Sequence, residues 1–199
     1  MTHYNDFHVP AGPGLESVLE GFPAAALLAG PDLARHGATL CGRGDRWRWD
    51  GVEFEILHPP ERFPLEGNDS SCVLRVGAAG HALLLTGDLE QAGERSLVAA
   101  GRELAADVVV VPHHGSATSS SAALTGAVGP RYALVSAAYA NRWGFPKGEV
   151  VARWRQAGAE VLVTGEAGAI GISIDADGRV RLRTERRQWR RAWDFEPGR

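Results

Sequence analysis

Two short apolar runs, each ending abruptly in acidic or imidazole side chains, constrain the possible fold of this chain more than any other feature. Residues 83–88 read LLLTGD and end at Asp88, and residues 107–116 read DVVVVPHHGS and contain His113 and His114. Apolar runs of this length, rich in Val and Leu, predict buried strands. Polar groups at the ends of strands can converge on one rim of a sheet. We therefore expect Asp88 and the histidine pair to lie in one site.

The pattern along the chain predicts a layered α/β sandwich. Consecutive strands separated by glycine turns are expected over residues 38–57, and a hairpin over residues 71–85. Asp177-Gly178 predicts the turn of a last hairpin. Strands first and then alternating strands and helices are typical of this class. The helices are predicted at residues 15–20, 32–36, 90–100, 119–124 and 147–157.

With these residues in view, the chain resembles the metallo-β-lactamase fold, and more narrowly the C-terminal hydrolase-like domain of the ComEC competence proteins. The segments that carry the resemblance are NDSSCVL from Asn68, LLTGD ending at Asp88, VPHHGS from Val111 and NRWGFP from Asn141. The resemblance implies an α/β protein, a metallo-β-lactamase-like αββα sandwich that lacks its opening strands. Residues 1–174 would form this partial domain, and residues 175–199 a terminal strand and an arginine-rich tail.

The resemblance also implies a site for one or two divalent ions, Zn²⁺ or Mn²⁺. Carboxylates can bridge two ions and imidazoles complete each shell. A metal in such a site makes hydroxide available near neutral pH. Asp88 and His113 would be catalytic, with His113 contacting a substrate phosphate or a leaving group. The implied metal ligands are His3, His8, Asp88 and His114.

Simpler roles are open for the same side chains. Asp88 stands near the start of a predicted helix, where a carboxylate is a favourable N-cap. His113 and His114 could be rim histidines that bond only to backbone.

Four further residues are candidates for binding a substrate. Ser116 precedes a predicted helix, where its hydroxyl either binds phosphate oxygens or caps the helix. The resemblance places Asn68 near the site, although an Asx turn explains this residue about as well. Asn141 and Arg142 either contact a nucleic-acid phosphate or close a loop.

The N-terminal segment departs from the metal-binding pattern of the family, His-x-Asp-x-Asp-His. With His3 and His8 as its outer histidines, Asn5 and Phe7 stand where aspartates are expected, and Phe145 replaces a histidine of a Gly-His-Pro motif. Asn is a poor metal ligand and Phe cannot be one. These departures favour a non-catalytic remnant with a degenerate metal site, acting as an interaction or structural module.

The TGD and PHHGS motifs instead favour an enzyme. The resemblance implies a metal-dependent phosphodiesterase or nuclease that acts on DNA during competence-related uptake; a small-molecule hydrolase on the same fold is a third possibility. The net charge of −3 gives no global attraction to nucleic acid. Arginines crowd the C-terminus, either as a solvated strand and helix end or as DNA-phosphate contacts: Arg179, Arg181, Arg183, Arg186, Arg187, Arg190 and Arg191.

No apolar stretch of the sequence is long enough to span a bilayer. We expect a soluble chain, while the resemblance implies the membrane channel portion of a ComEC-like parent as its partner. Cys41 and Cys72 are too few for a disulfide framework, and we expect Cys72 to be a buried small hydrophobe. His58 and His81 show no partner pattern and are expected at the surface or in loops.

Overall fold

The computed structural model describes residues 21, 27–30, 38–61, 66–175 and 177–188. The candidate ligands His3 and His8 lie outside these ranges, as do the helices predicted at residues 15–20 and 32–36. Arg190 and Arg191 of the predicted tail also lie outside them. Within the described ranges, no helix is both long enough and apolar enough to cross a membrane.

A seven-stranded sheet forms the centre of the fold, and its strands lie side by side in the order of the sequence. Neighbouring strands are antiparallel in the first half of the sheet and parallel in the second, and the change occurs at the sixth strand of the chain. A separate parallel pair precedes the sheet. This pair is β1 (Leu28–Ala29) and β2 (Thr39–Leu40), and the sheet contains β3 (Arg46–Trp49), β4 (Val52–His58), β5 (Val73–Ala78), β6 (His81–Leu85), β7 (Val108–Val110), β8 (Tyr132–Val135) and β9 (Glu160–Val163).

Helices and an antiparallel hairpin complete the layers. The hairpin consists of β10 (Ile170–Ile174) and β11 (Val180–Thr184), which pair across the predicted Asp177-Gly178 turn. Ile174 is the last residue of β10, so the proposed domain division falls within this hairpin, and the division stays a prediction. Within the described residues from 38 onward, the helices are α1 (Gln91–Ala99), α2 (Ala122–Val128), α3 (Gly148–Gln156), α4 (Thr164–Ala167) and α5 (Glu185–Gln188), and 3₁₀ turns occupy Gly67–Ser70 and Pro112–Gly115.

The parallel half of the sheet is packed on both faces. On one face Leu84 and Val109 pack in a single cluster with Leu97 of α1, Leu124 of α2 and Trp154 of α3. On the other face a smaller cluster joins strands β7 to β9 to the apolar side chains of the β10–β11 hairpin. A strand covered on both faces must be apolar throughout, which explains the run of valines in β7. The predicted mixed α/β class is confirmed.

One helix begins later than the sequence predicts. We expected α2 to start at residue 119, but it starts at Ala122. The Ser119 hydroxyl donates instead to the carbonyl oxygen of Pro112 at 2.9 Å, and Ser120 adopts a left-handed φ of 59°. Ser121 is the N-cap, and its side chain accepts from the Leu124 N–H. Of the serines before α2, Ser121 therefore caps the helix, whereas Ser119 and Ser120 do not.

Cys41 and Cys72 form a disulfide, with Cα atoms 6.1 Å apart. The expectation that Cys72 is only a buried hydrophobe is wrong. The two cysteines are 31 residues apart in the sequence, so their approach depends on tertiary pairing. The backbone N–H of Gly44 donates to the Ile56 carbonyl of β4, and β4 pairs with β5, which follows Cys72 directly. The disulfide therefore joins the segment after β2 to the central sheet.

His58 is fully buried, which corrects the expectation of a surface or loop residue. Its Nε2 lies 2.8 Å from the Asp69 carbonyl oxygen, so Nε2–H donates, and the buried Nδ1 has no partner. Burial lowers the pKa of His58 below its ordinary value of 6.5. His81 contacts the Asp107 carboxylate at 3.0 Å.

We expect His58 to make folding stability rise with pH. Between the lowered folded pKa and 6.5, the unfolded chain binds the proton that the folded chain rejects, so stability is lost as pH falls through this window. Urea unfolding at pH 5.5 and 7.5 measures the effect. His58→Gln keeps a donor for the Asp69 carbonyl and should flatten this dependence. An equally steep dependence in the variant would contradict the assignment.

Candidate functional site

The parallel half of the sheet places the carboxyl ends of its strands along one edge. Leu85 of β6 pairs with Val110 of β7, and Val110 pairs with Leu134 of β8. The segments that follow these three strands therefore leave the sheet at the same level. They carry Asp88, the histidine pair and the loop between β8 and α3.

Asp88 and His114 face each other at this edge. The Asp88 residue is buried, with 5% of its surface exposed, and its Oδ1 lies 3.5 Å from His114 Nε2. The other ring nitrogen of His114, Nδ1, lies 2.7 Å from the Ser136 carbonyl oxygen and must donate to it. When the ring is neutral, Nε2 therefore carries no proton, and its lone pair lies beside the carboxylate and is available to a metal ion. The geometry thus presents one carboxylate oxygen and one imidazole nitrogen to the same space.

The turn that carries the histidines has an unusual backbone. His113 and His114 both have positive φ, 47° and 54°, and are followed by Gly115 at 80°. Consecutive non-glycine residues in this region are strained, and such strain is typical of functional sites. A Cβ on Gly115 would lie 2.6 Å from the Pro146 Cβ, so the turn also requires glycine for packing. The His113 N–H donates to the Gly87 carbonyl at 3.1 Å and joins the two motifs directly.

Glu90 is a site residue that sequence reasoning missed. Its Oε1 lies 2.9 Å from His113 Nδ1 and accepts from the Thr118 hydroxyl at 2.9 Å. The Asn68 amide reaches the same oxygen at 3.4 Å. The sequence offers no local signal for this contact, because Asp88 lies in a turn and Glu90 is the residue before α1, so the approach of Glu90 to His113 depends on the folded PHHGS turn.

Glu94, one turn further along α1, supports the segment that follows the histidines. Its fully buried carboxylate accepts from the backbone N–H groups of Ser120 and Ser121. The Ser120 hydroxyl in turn accepts from Trp154 Nε1 at 3.1 Å. Burial raises the pKa of Glu94, and these hydrogen bonds act in the opposite direction. The network fixes residues 119–121 against the helical layer.

The candidate substrate-binding residues fall into two groups. Asn68 contacts Glu90, and the Ser116 hydroxyl lies 3.0 Å from the Thr118 hydroxyl, so both belong to the Glu90 network. Asn141 uses its side chain to close its own loop, donating to the Phe145 carbonyl at 2.6 Å and accepting from the Phe145 N–H at 3.0 Å. Arg142 lies over the ring of Trp143. Their roles toward a substrate stay predictions.

The structure also bears on the simpler roles considered for Asp88 and the two histidines, which are helix capping and bonding to backbone. Helix α1 has Glu90 as its N-cap residue, so Asp88 does not occupy the cap position. His114 does bond to backbone, as a rim histidine would, but only through Nδ1. Its Nε2 faces Asp88, and His113 faces Glu90. Both histidines are therefore paired with carboxylates at the rim.

Asp88 and His114 suit two positions of a metal shell. Ligand atoms that each lie about 2.0–2.2 Å from a tetrahedral ion are about 3.4 Å apart, close to the 3.5 Å between Asp88 Oδ1 and His114 Nε2. Within the part of the chain that the structure describes, no group of three or more His, Cys, Asp and Glu side chains is arranged to hold a metal. The predicted ligands His3 and His8 are outside that part.

The family model of the metallo-β-lactamase superfamily matches residues 11–139, which is more than half of the chain. The chain belongs to the metallo-β-lactamase superfamily. The match covers Asp88 and both histidines of the PHHGS turn, and the mixed sheet with its helical layer agrees with the superfamily fold.

Relatives of this metallo-β-lactamase domain include proteins named for competence and recombination. The chain is 43% identical over 194 residues to competence protein ComA of Neisseria gonorrhoeae, covering 96% of this chain and 27% of the relative. It is 32% identical over 180 residues to recombination protein 2 of Haemophilus influenzae, covering 89% of this chain and 22% of the relative. ComE operon protein 3 of Bacillus subtilis is 34% identical over 128 residues, covering 64% of this chain and 16% of the relative. These names agree with the ComEC resemblance, and the chain spans about a quarter or less of each of these relatives.

Proposed function

We propose that this domain is a metal-dependent phosphodiesterase that cleaves DNA, and that it works as part of a membrane-associated machinery for DNA uptake. The observation that carries the proposal is the buried Asp88 carboxylate facing His114 Nε2 at the rim of a metallo-β-lactamase fold. A carboxylate oxygen and an imidazole lone pair that face each other at 3.5 Å are suited to sharing a cation, which favours a functional centre. The competence names of the relatives support DNA as the substrate and a DNA-uptake protein as the larger context.

Two carboxylate–imidazole pairs would have different roles in cleavage. Asp88 and His114 would hold a divalent ion, Zn²⁺ or Mn²⁺, with His3 and His8 as the further predicted ligands. Such an ion, when bound, supplies hydroxide near neutral pH and stabilises negative charge on the phosphate.

The second pair, Glu90 and His113, protonates the leaving group. Glu90 accepts the Nδ1–H of His113, which leaves His113 Nε2 to face the substrate. In the charged ring, Nε2 donates a proton to the oxygen that leaves when the P–O bond breaks. Asn68 and Thr118 hold the Glu90 carboxylate in this orientation.

A second candidate function is a non-catalytic remnant of the same fold. It is favoured by the lack of a third ligand near Asp88 and His114 within the described residues. Asn5 and Phe7, where carboxylates are expected, point in the same direction. Such a domain would keep the sheet and act as an interaction or structural module.

A cleavage assay on the purified chain separates the two functions. We expect end-labelled DNA to be cut in the presence of Mn²⁺ or Zn²⁺ and to stay intact in EDTA, because hydroxide at neutral pH requires the ion. Equilibrium dialysis of the same metals provides a readout independent of turnover. A chain that neither cleaves DNA nor retains either metal would be the remnant.

A further inference from the structure

The loop between β8 and α3 carries an exposed aromatic surface beside the site. Among the described residues, four large hydrophobic side chains are exposed, and two of them belong to this loop: Tyr139 at 50% and Trp143 at 56%. Large aromatic rings left in water on a rim next to polar groups mark a binding surface. We call residues 139–147, YANRWGFPK, the aromatic loop.

The rings of the aromatic loop lead toward the histidine pair. Trp143 and Phe145 are nearly parallel, with ring centroids 6.5 Å apart and an interplanar angle of 13°. Phe145 contacts His113 edge to face, with centroids 6.0 Å apart. A continuous series of ring contacts therefore runs from the exposed Trp143 to the imidazole at the site.

Cations alternate with these rings, and the loop contains no acidic residue. The Arg142 guanidinium lies 4.3 Å from the Trp143 ring centroid, and Lys147 Nζ lies 5.4 Å from the Phe145 centroid. The chain as a whole is acidic, with a net charge of −3, so this positive charge is local. Flat aromatic rings beside guanidinium and ammonium groups match a ligand that has both flat bases and phosphates.

The loop is also fixed in place before any ligand arrives. The Asn141 side chain bonds to both the N–H and the carbonyl of Phe145 within the loop, and the Lys147 N–H donates to the Gly115 carbonyl at 2.9 Å. The Thr164 hydroxyl bonds both the N–H and the carbonyl of Ala137, at 3.0 and 3.1 Å. A Cβ on Gly165 would lie only 2.7 Å from the Ala138 carbonyl carbon, so α4 packs directly on the loop. A surface that is already ordered loses little conformational entropy on binding.

We propose that the aromatic loop is a stacking platform for single-stranded nucleic acid, on which unpaired bases lie against Trp143 and Tyr139 while a phosphate reaches His113. The proposal rests on the proposed function for its orientation toward the site. Single strands are favoured over duplex because only unpaired bases offer their faces to protein rings, whereas base faces inside a duplex are covered by their neighbours. Arg142 and Lys147 contact the phosphates that flank the stacked bases.

The test measures binding and cleavage separately. Binding of a fluorescein-labelled oligothymidylate to the full chain is followed by anisotropy in EDTA, where no cleavage is expected. Stacking of one base is worth about 1–3 kcal/mol, so Trp143→Ala should weaken binding about 5- to 150-fold, and Trp143→Phe should retain most of it. The matched control is Trp49→Ala, which removes a ring that is 69% exposed on the opposite edge strand, β3, and should bind as the wild type does.

Two further probes separate stacking from simple charge attraction. An abasic oligonucleotide keeps the phosphates without the bases, and the wild type should bind it as weakly as Trp143→Ala binds oligothymidylate. A blunt duplex should bind more weakly than the single strand. Equal binding of the normal and abasic strands, or wild-type affinity in Trp143→Ala, overturns the platform.

The cleavage readout keeps the two proposals distinct. If the wild type binds as expected but cleaves nothing with Mn²⁺ or Zn²⁺, the platform stands and the phosphodiesterase proposal fails. If cleavage is metal-dependent while Trp143→Ala has an unchanged KM and unchanged binding, the platform fails and the phosphodiesterase stands. Thermal unfolding of Trp143→Ala confirms that the exposed substitution leaves the fold intact.

Discussion

Asp88→Asn is expected to lower metal-dependent DNA cleavage by more than about 100-fold. Mutating a group that only orients a metal ligand typically costs about 10–100-fold, so removing a ligand charge should cost more. The substitution keeps the shape of the side chain but replaces a carboxylate with an amide, which is a poor ligand. His114→Ala should have a similar effect, because its Nε2 faces the same space. Initial rates at saturating DNA and metal measure both losses.

Asp177→Asn is the matched control for this prediction. Asp177 lies in the β10–β11 hairpin with its side chain 52% exposed and paired with Arg179, far along the chain from the rim residues. Its rate should equal that of the wild type. Cleavage that survives in both Asp88→Asn and His114→Ala would place the chemistry elsewhere.

Removing the Cys41–Cys72 disulfide is expected to lower the free energy of unfolding by about 3–4 kcal/mol. In the chain-entropy model, the stabilisation grows with the length of the closed loop, and the two cysteines are 31 residues apart. The bond also joins the segment after β2 to the central sheet, and without it hydrogen bonds such as Gly44 N–H to the Ile56 carbonyl still hold that segment. Urea unfolding of the wild type and of Cys41→Ser/Cys72→Ser measures the difference.

A reducing agent gives the internal control for the disulfide. It should destabilise the wild type to the level of the double variant and leave the double variant unchanged. A wild type whose unfolding midpoint does not move under reduction, with both thiols shown to be free by labelling, would contradict the expected contribution.

The strands and the meeting of Asp88 with the histidines could be predicted because their signals are local. Val and Leu runs bounded by glycine, such as β6 and β7, specify strands, and parallel strands of equal register bring their ends together. The features that were missed depend on pairing between distant segments. The disulfide needs Cys41 to pack against the start of β5, and the burial of His58 needs the turn that carries Asp69.

The Glu90–His113 contact and the late start of α2 were missed for a related reason. Both depend on the left-handed backbone of the PHHGS turn and of Ser120. Gly115 is the one residue in these segments whose type predicts a left-handed conformation. Once that turn is formed, His113 faces Glu90 and the following serines face inward toward Glu94 and Pro112. Residue types were enough to select Asp88, His113 and His114 as candidates, whereas their contacts with Glu90 and the Ser136 carbonyl depend on the folded chain.

We propose that Asp88 and His114 form the core of a metal centre. The most direct measurement is anomalous diffraction from crystals of the full chain soaked in Mn²⁺. We expect one peak within ligand distance, about 2.0–2.3 Å, of both Asp88 Oδ1 and His114 Nε2. Well-ordered side chains with no peak between them, or a peak bound only at another place on the chain, would contradict it.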